Sequence, residues 1–328
     1  MKALVTGATG FIGSNLVRAL LDDGAQVRGL ARPGSDRRAL QGLSVDIAEG
    51  DLLDVASLRR AVAGCDTLFH VAALYAYWPP DRDLFYRVNV EGTRNVLEAA
   101  RDAGVQRTVF TSSSATIGPA NGTRPASEET PAKTGDLLKG YKESKYLAEQ
   151  EAIKANAAGF PVVVVNPTAP MGPWDVKPTP TGRIVRDFLL GKMFGYVDTG
   201  LNVVHVRDVA RGHILAAERG KPGRRYILGN RNMALREIFQ ALGTIAGRRP
   251  PRLRVPYALA LAFAHLDELV EGRMARGTPR ATVAEVKLSR KPMYYDASRA
   301  VQELGMPQTS VEEALSDAVD WFRDHAHG

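Results

Sequence analysis

One turn near the start of the chain, Thr6-Gly7-Ala8-Thr9-Gly10-Phe11-Ile12-Gly13, restricts the possible folds more than any other feature. It lies between a strand-like apolar run, Ala3-Leu4-Val5, and a helical pattern that starts at Ser14. A strand that passes through glycines directly into a helix brings backbone N–H groups and the positive end of a helix dipole to one point, where a pyrophosphate can sit. The spacing Gly7-x-x-Gly10-x-x-Gly13 departs from the two-glycine start of the common dinucleotide fingerprint, so the flanking strand and helix carry the reading. Gly7, Gly10, Phe11, Ile12 and Gly13 are the first candidate cofactor contacts.

The rest of the first half repeats this alternation. Ala3 to Val5, Gln26 to Leu30, Thr67 to Val71, Thr108 to Thr111 and Val162 to Val165 are near-continuous apolar runs, the signature of buried parallel strands. Amphipathic helices are expected between them over Ser14 to Asp23, Val55 to Ala63, Gly92 to Ala103 and Lys142 to Asn156. The pattern predicts an α/β fold with a Rossmann-type doubly wound parallel sheet. After Asn166 the texture changes to a Pro/Gly-rich loop, Pro167 to Gly182, followed by less regular, more helical sequence. The expected organisation is a dinucleotide-binding domain over 1–167, with a return to the sheet near 202–228, and a smaller, mainly helical substrate lobe over 168–201 and 229–328.

At 328 residues the chain exceeds the size at which one core usually stops growing, which agrees with two lobes. The net charge of +7 is spread through helices and loops, without the clustered basic and aromatic residues of a nucleic-acid surface; it suits an anionic cofactor. Cys65 is the only cysteine, so no intrachain disulfide can form. Met1-Lys2 runs straight into the first strand, leaving no room for a signal peptide, and the cytoplasm is the expected location. The apolar stretch Val255 to Leu266 is too short to span a bilayer, which needs about 20 residues. It reads as a buried or partner-facing helix, with a lid over a lipid-like substrate or a membrane-surface contact as alternatives. No metal is expected.

The chemistry comes from a second motif, Tyr141-x-x-x-Lys145. Residues four apart share one helix face, so the Lys145 ammonium can stand beside the Tyr141 phenol or on a ligand next to it. Adjacent positive charge favours the phenolate and brings a tyrosine into the range of a general acid or base. With the glycine turn, the motif points to nicotinamide-dependent redox work on a carbonyl or alcohol. Cofactor choice is read at the end of the second strand, where an acid would accept hydrogen bonds from the NAD ribose. This chain has Gly29-Leu30-Ala31-Arg32 there, and Arg32 offers a guanidinium fork to a 2′-phosphate, with Arg37 and Arg38 close behind. NADP(H) is the preferred cofactor; NAD(H) stays open if Arg32 is a solvated loop residue. Asp51 and Leu52 read as adenine-side contacts, Asp54 as a helix cap and His70 as a packed, hydrogen-bonded residue beside the cofactor.

Eight ordered elements together resemble the extended short-chain dehydrogenases/reductases: the glycine turn, Asp51-Leu52, Phe69-His70-Val71-Ala72-Ala73, Asn89-Val90-x-Gly92-Thr93, Thr111-Ser112-Ser113, Tyr141-x-x-x-Lys145, Asn166-Pro167 and His205-Val206-Arg207-Asp208-Val209-Ala210. The resemblance implies that Ser113 hydrogen-bonds the reacting oxygen, Tyr141 donates or accepts the proton, and Lys145 holds the nicotinamide ribose and the phenolate. It implies that Ala72, Ala73, Pro167 and Thr168 line the cofactor. Family spacing, with a glycine five residues after the catalytic serine, selects Ser113 from the run Ser112-Ser113-Ser114 because Gly118 then fits. A homodimer through helices is common among relatives.

Nucleotide-sugar enzymes of this family commonly carry an asparagine shortly after the Asn166-Pro167 strand and an arginine just before the His-Val-x-Asp motif. Here Thr168-Ala169-Pro170-Met171-Gly172-Pro173 and Gly200-Leu201-Asn202-Val203-Val204 lack both. The chain instead resembles dihydroflavonol reductases and related NADP-dependent ketone or aldehyde reductases. A narrower resemblance, over Pro178 to Arg183 and Tyr196 to Val206, is to bacterial hopanoid-associated sugar epimerases, and implies an association with hopanoid lipid synthesis. The expected function is hydride transfer from NADPH to a ketone or aldehyde, and the expected partner is a small-molecule carbonyl or hydroxyl substrate, with an apolar one as an option. The alternatives are a sugar epimerase or dehydratase and a non-catalytic NADP-binding sensor.

Overall fold

The computed structural model describes residues 1–74, 83–120, 124–137, 139–270 and 282–325. The first part alternates strands β1 (Lys2–Thr6), β2 (Gln26–Ala31), β3 (Asp46–Glu49), β4 (Thr67–His70), β5 (Arg107–Thr111) and β6 (Val162–Pro167) with helices α1 (Phe11–Asp22), α2 (Val55–Val62), α3 (Asp83–Tyr86), α4 (Gly92–Asp102) and α5 (Tyr141–Ala157). The second part contains strands β7 (Ala169–Met171), β8 (Gly195–Tyr196), β9 (Gly200–His205), β10 (Arg225–Leu228), β11 (Arg231–Ala234) and β12 (Leu253–Arg254). Its helices are α6 (Pro180–Leu189), α7 (Val206–Arg219), α8 (Leu235–Ala246), α9 (Tyr257–Asp267), α10 (Val283–Leu288) and α11 (Val311–His325).

Seven strands form one parallel sheet in the order β10-β6-β5-β4-β1-β2-β3. This is the doubly wound arrangement that the β-α alternation predicts. Side chains of β1 alternate between its two faces. Ala3 and Val5 join Leu16, Val17 and Leu20 of α1 and Val209 and Ile214 of α7 on one face. Leu4 joins Leu58 of α2, Val96 and Leu97 of α4 and Ala148 of α5 on the other. Each large aliphatic side chain buried this way contributes roughly 1.5–3 kcal/mol.

Two strand assignments need correction. β3 was not anticipated because it holds only Ile47 and Ala48 between acids and lies at the sheet edge, where little apolar surface is required. Of the return expected over 202–228, only the end joins the main sheet, at β10; residues 202–208 do not. There β9 pairs with β7 and β11 in a separate three-stranded sheet, and α7 begins. That small sheet, α6, α8 and α11 close around a further core that includes Met171, Val203, Phe239 and Phe322. The segment Val255 to Leu266 buries little beyond Ala264: from Tyr257 it forms α9, with Leu259 63% and Leu266 59% exposed.

Candidate active site

The glycine turn is a close-packed backbone cradle. Gly7 has φ +69°, and a Cβ placed on it would lie 2.8 Å from the backbone of Ala72; a Cβ on Gly13 would lie 2.0 Å from the Gly7 carbonyl oxygen. The turn closes through Gly10 N donating to Gly7 O at 2.9 Å, and α1 starts with Gly10 as an N-cap that supplies no side-chain hydrogen bond. The first amides of α1 are therefore left for a ligand, and the bare cradle fits a dinucleotide pyrophosphate. Thr6 Oγ1 accepts from Ala72 N at 3.1 Å and bonds His70 Nδ1 at 2.7 Å, which fixes the β4 exit against the turn. His70 Nε2 meets Thr93 Oγ1 at 2.9 Å, and burial pushes the ring's pKa down to about 3, so it is a neutral structural member.

A cleft of about 810 Å³ runs along the C-terminal ends of the strands. Gly7, Gly10, Phe11, Ile12 and Gly13 line it at the turn, Ala72 and Ala73 after β4, and Pro167 and Thr168 after β6. Arg32, Asp51 and Leu52 line one end; Ser113, Tyr141 and Lys145 line the same cleft. Asn89, within a π-helical turn over Arg87–Glu91, pins the β4 exit to α5. It bonds Leu74 N at 2.7 Å, Leu74 O at 3.2 Å and Ser144 Oγ at 2.9 Å.

On the far side of the cleft α5 begins at Tyr141, after Gly140 in a positive-φ conformation, and one turn later presents Lys145. Lys145 Nζ donates to Thr111 O at 2.7 Å and lies 4.8 Å from the Phe110 ring centroid. Desolvation brings its pKa down to about 8, against the opposing charge of Glu149. The three serines differ in their partners. Ser112 and Ser113 both line the cleft, the Ser113 Oγ accepting from Ala115 N at 3.1 Å. Ser112 Oγ donates to the Glu149 carboxylate. Ser114 is buried away from the lining, and its carbonyl accepts from Tyr295 Oη at 3.0 Å. Gly118 is required by packing, since a Cβ there would lie 2.2 Å from Pro131 O.

Sequence reasoning missed Glu149. Its fully buried carboxylate takes hydrogen bonds from Ser112, from Thr116 Oγ1 at 2.7 Å, from Asn166 Nδ2 at 3.1 Å and from Arg225 Nη1 at 3.1 Å. Asn166 Nδ2 also donates to Ser113 O at 3.0 Å. An acid four residues after Lys145 on the same helix face was the available signal.

At the other end, Arg37 is paired with Glu49, and Arg38 with Asp36 at 2.8 Å. Arg32 has no ion pair among the described residues. Asp36 also lines the cleft, four residues beyond the position inspected for an acid; hydrogen bonds from Arg38 hold its pKa down at about 2. Asp54 caps α2 by accepting from Ala56 N at 3.0 Å and Ser57 N at 3.2 Å. The loop after β7 crosses onto α1: Asn15 Nδ2 donates to Pro173 O at 3.1 Å, and the Arg18 guanidinium sits 3.6 Å from the Trp174 ring centroid. Away from the cleft, His205, Glu313 and Asp317 converge, but Arg207 bonds all three and offsets one of the two carboxylate charges.

Residues 3–229 match the model of the NAD dependent epimerase/dehydratase family. A Synechocystis sp. protein named after dihydroflavonol 4-reductase is 50% identical over 327 residues, 98% of this chain and 95% of that one. Sterol demethylase protein B of Methylococcus capsulatus is 39% identical over 325 residues, 99% of each chain. The solved structure of gox2253 is 43% identical with a TM-score of 0.88, covering 99% of this chain and 98% of that one.

Proposed function

Because the chain belongs to the NAD-dependent epimerase/dehydratase family, the extended short-chain dehydrogenases/reductases, we propose that it is an NADP(H)-dependent reductase of a ketone or aldehyde. The observation that carries this reading is that Ser113, Tyr141, Lys145 and the uncommitted Arg32 all line one cleft. A bound nicotinamide dinucleotide supplies hydride at its C4. The chain does the rest. Amides at the start of α1 bind the pyrophosphate and Arg32 takes the 2′-phosphate. Ser113 hydrogen-bonds the carbonyl oxygen, and Tyr141 gives it a proton as charge develops there, so hydride and proton together convert the carbonyl to an alcohol. Lys145 holds the ribose and lends positive charge to the phenol.

Leu84, Val88, Trp174, Val176 and Pro178 give the cleft apolar walls, which suits an apolar substrate. The finer form of the reading is a polycyclic lipid, as in hopanoid lipid synthesis, supported by the sterol in the name of the Methylococcus relative. A second reading, a sugar epimerase or dehydratase that retains NAD, is favoured by Lys177 and Arg183, two cationic lining residues suited to a diphosphate.

Calorimetric titration with NADPH and NADH, on the wild type and on Arg32→Ala, tests the choice. The reductase reading expects NADPH to bind about 10- to 100-fold more tightly than to the variant, with NADH unaffected. Equal NADH binding that ignores Arg32 favours the epimerase. Tight NADPH binding with no oxidation across a carbonyl panel leaves a cofactor sensor.

A further inference from the structure

Of the thirteen large hydrophobic residues exposed among the described residues, eight fall between Leu190 and Val270. The two-stranded sheet contributes Leu253, 58% exposed, and Phe194, 74% exposed, lies just before it. Leu190 caps the end of α6, and the remaining five, Leu259, Phe263, Leu266, Leu269 and Val270, belong to α9 and the turn that continues it. Their spacing places them on one side of the helix. This helix is turned inside out. Its exposed face is Ala258, Leu259, Ala262, Phe263, His265 and Leu266, while Asp267 is buried and Glu268, half-buried, accepts from Val283 N at 2.7 Å.

The exposed charge left without an ion pair beside this apolar face is cationic. Lys192, Arg248, Arg249 and Arg252 are exposed and have no ion pairs among the described residues, whereas Arg254 is paired with Asp198. Arg252 directly precedes Leu253, whose strand partner is Gly195, so cation and apolar residues alternate along one edge. With 11 residues α9 cannot cross a bilayer, and no described helix is long and apolar enough to do so. An isologous dimer through the same face would gather both copies' unpaired cations into one interface with no acids among the described residues to offset them, whereas anionic headgroups neutralise them.

We infer that the α9 face, with Phe194, Leu253 and the arginines before β12, docks the protein on an anionic lipid bilayer surface, with the helix lying in the interface plane. Glu268 links α9 to the start of α10, next to Thr282 in the cleft wall, so a docked molecule carries that wall toward the bilayer.

Flotation of the full chain with vesicles of phosphatidylcholine, alone or mixed with phosphatidylglycerol, tests the assignment. Binding is expected on the mixed vesicles, weaker on the neutral ones and reduced by salt. The double variant Phe263→Ser/Leu266→Ser is expected to lose about tenfold or more in partitioning, and so is Arg248→Ala/Arg249→Ala/Arg252→Ala, with unchanged melting temperature and cofactor binding. Three results would overturn the inference. These are no partitioning onto either vesicle, partitioning that neither variant alters, or a dimer in light scattering that Phe263→Ser/Leu266→Ser converts to monomer.

Discussion

Lys145 Nζ donates to the carbonyl oxygen of Thr111 at 2.7 Å, tying the second turn of α5 to the end of β5 just before the serine bend. Lys145 is 2% exposed, and desolvation lowers its pKa from 10.5 to about 8. The sign follows from proton counting: between pH 8 and 10.5 the unfolded chain binds the extra proton, so stability rises with pH through that window. Below it, the folded state bears the full cost of a buried charge. Lys145→Met is therefore expected to stabilise the cofactor-free protein at pH 7 by about 1–3 kcal/mol, with the gain fading toward pH 10.5, while turnover is lost. Urea denaturation at both pH values checks it; a variant less stable than wild type at pH 7 contradicts it.

Glu149 is the hub that holds the redox end in register. Its carboxylate joins α5 to the serine bend through Ser112 and Thr116, to β6 through Asn166 and to β10 through Arg225. Glu149→Gln puts an amide donor against groups that are already donors and leaves Arg225 without its counter-charge. A loss of about 3 kcal/mol is expected. Cofactor affinity should be retained in the folded fraction while kcat falls, because Asn166 also holds the Ser113 carbonyl. Unchanged stability and kcat would reduce the network to a bystander.

The two inner glycines of the turn should differ sharply. A Cβ on Gly13 meets the Gly7 carbonyl oxygen at 2.0 Å, whereas one on Gly10 meets the same atom at 3.3 Å. Backbone must move in the first case and needs to give only slightly in the second. Gly13→Ala is expected to cost about 1–3 kcal/mol and to abolish dinucleotide binding; Gly10→Ala should be folded with a smaller loss. Melting curves with and without NADPH separate the two.

Much of this site was legible because its parts are local. A glycine turn, a Tyr-x-x-x-Lys step and an arginine after a strand each carry their geometry in their spacing, and the parallel sheet that gathers them follows from the apolar runs. The unread parts depend on distant pairing. Nothing near Glu149 in the sequence reveals Arg225, and nothing near Arg37 reveals that it pairs with Glu49 and not with a phosphate. β3 escaped because an edge strand buries little, and α9 because an apolar helix exposed to solvent has the same sequence as a buried one.

Tyr141→Phe removes the phenolic proton but leaves the ring and Lys145 in place. Turnover on any accepted carbonyl is expected to fall about 10³-fold, within the range of lost general acid catalysis. NADPH affinity should change little, since the pyrophosphate cradle and Arg32 are untouched. Steady-state rates combined with calorimetry check both halves, and retention of most activity would dismiss Tyr141 as the acid.

The serine run gives the most direct test of geometry against sequence position. Ser113 and Ser112 line the cleft, but the Ser112 hydroxyl is committed to Glu149, and Ser114 faces Tyr295 through its carbonyl. Ser113→Ala is expected to lower kcat about 10²-fold with the cofactor constant preserved, the usual cost of losing one donor to a developing oxyanion. Ser112→Ala should show its effect mainly as reduced stability, because it leaves a buried carboxylate one donor short. Ser114→Ala should do little to kcat, since the hydrogen bond to Tyr295 uses the backbone oxygen. If Ser114→Ala were the variant that lost turnover, the reacting oxygen would have to bind on the far side of the bend, and the cleft would have been assigned to the wrong serine.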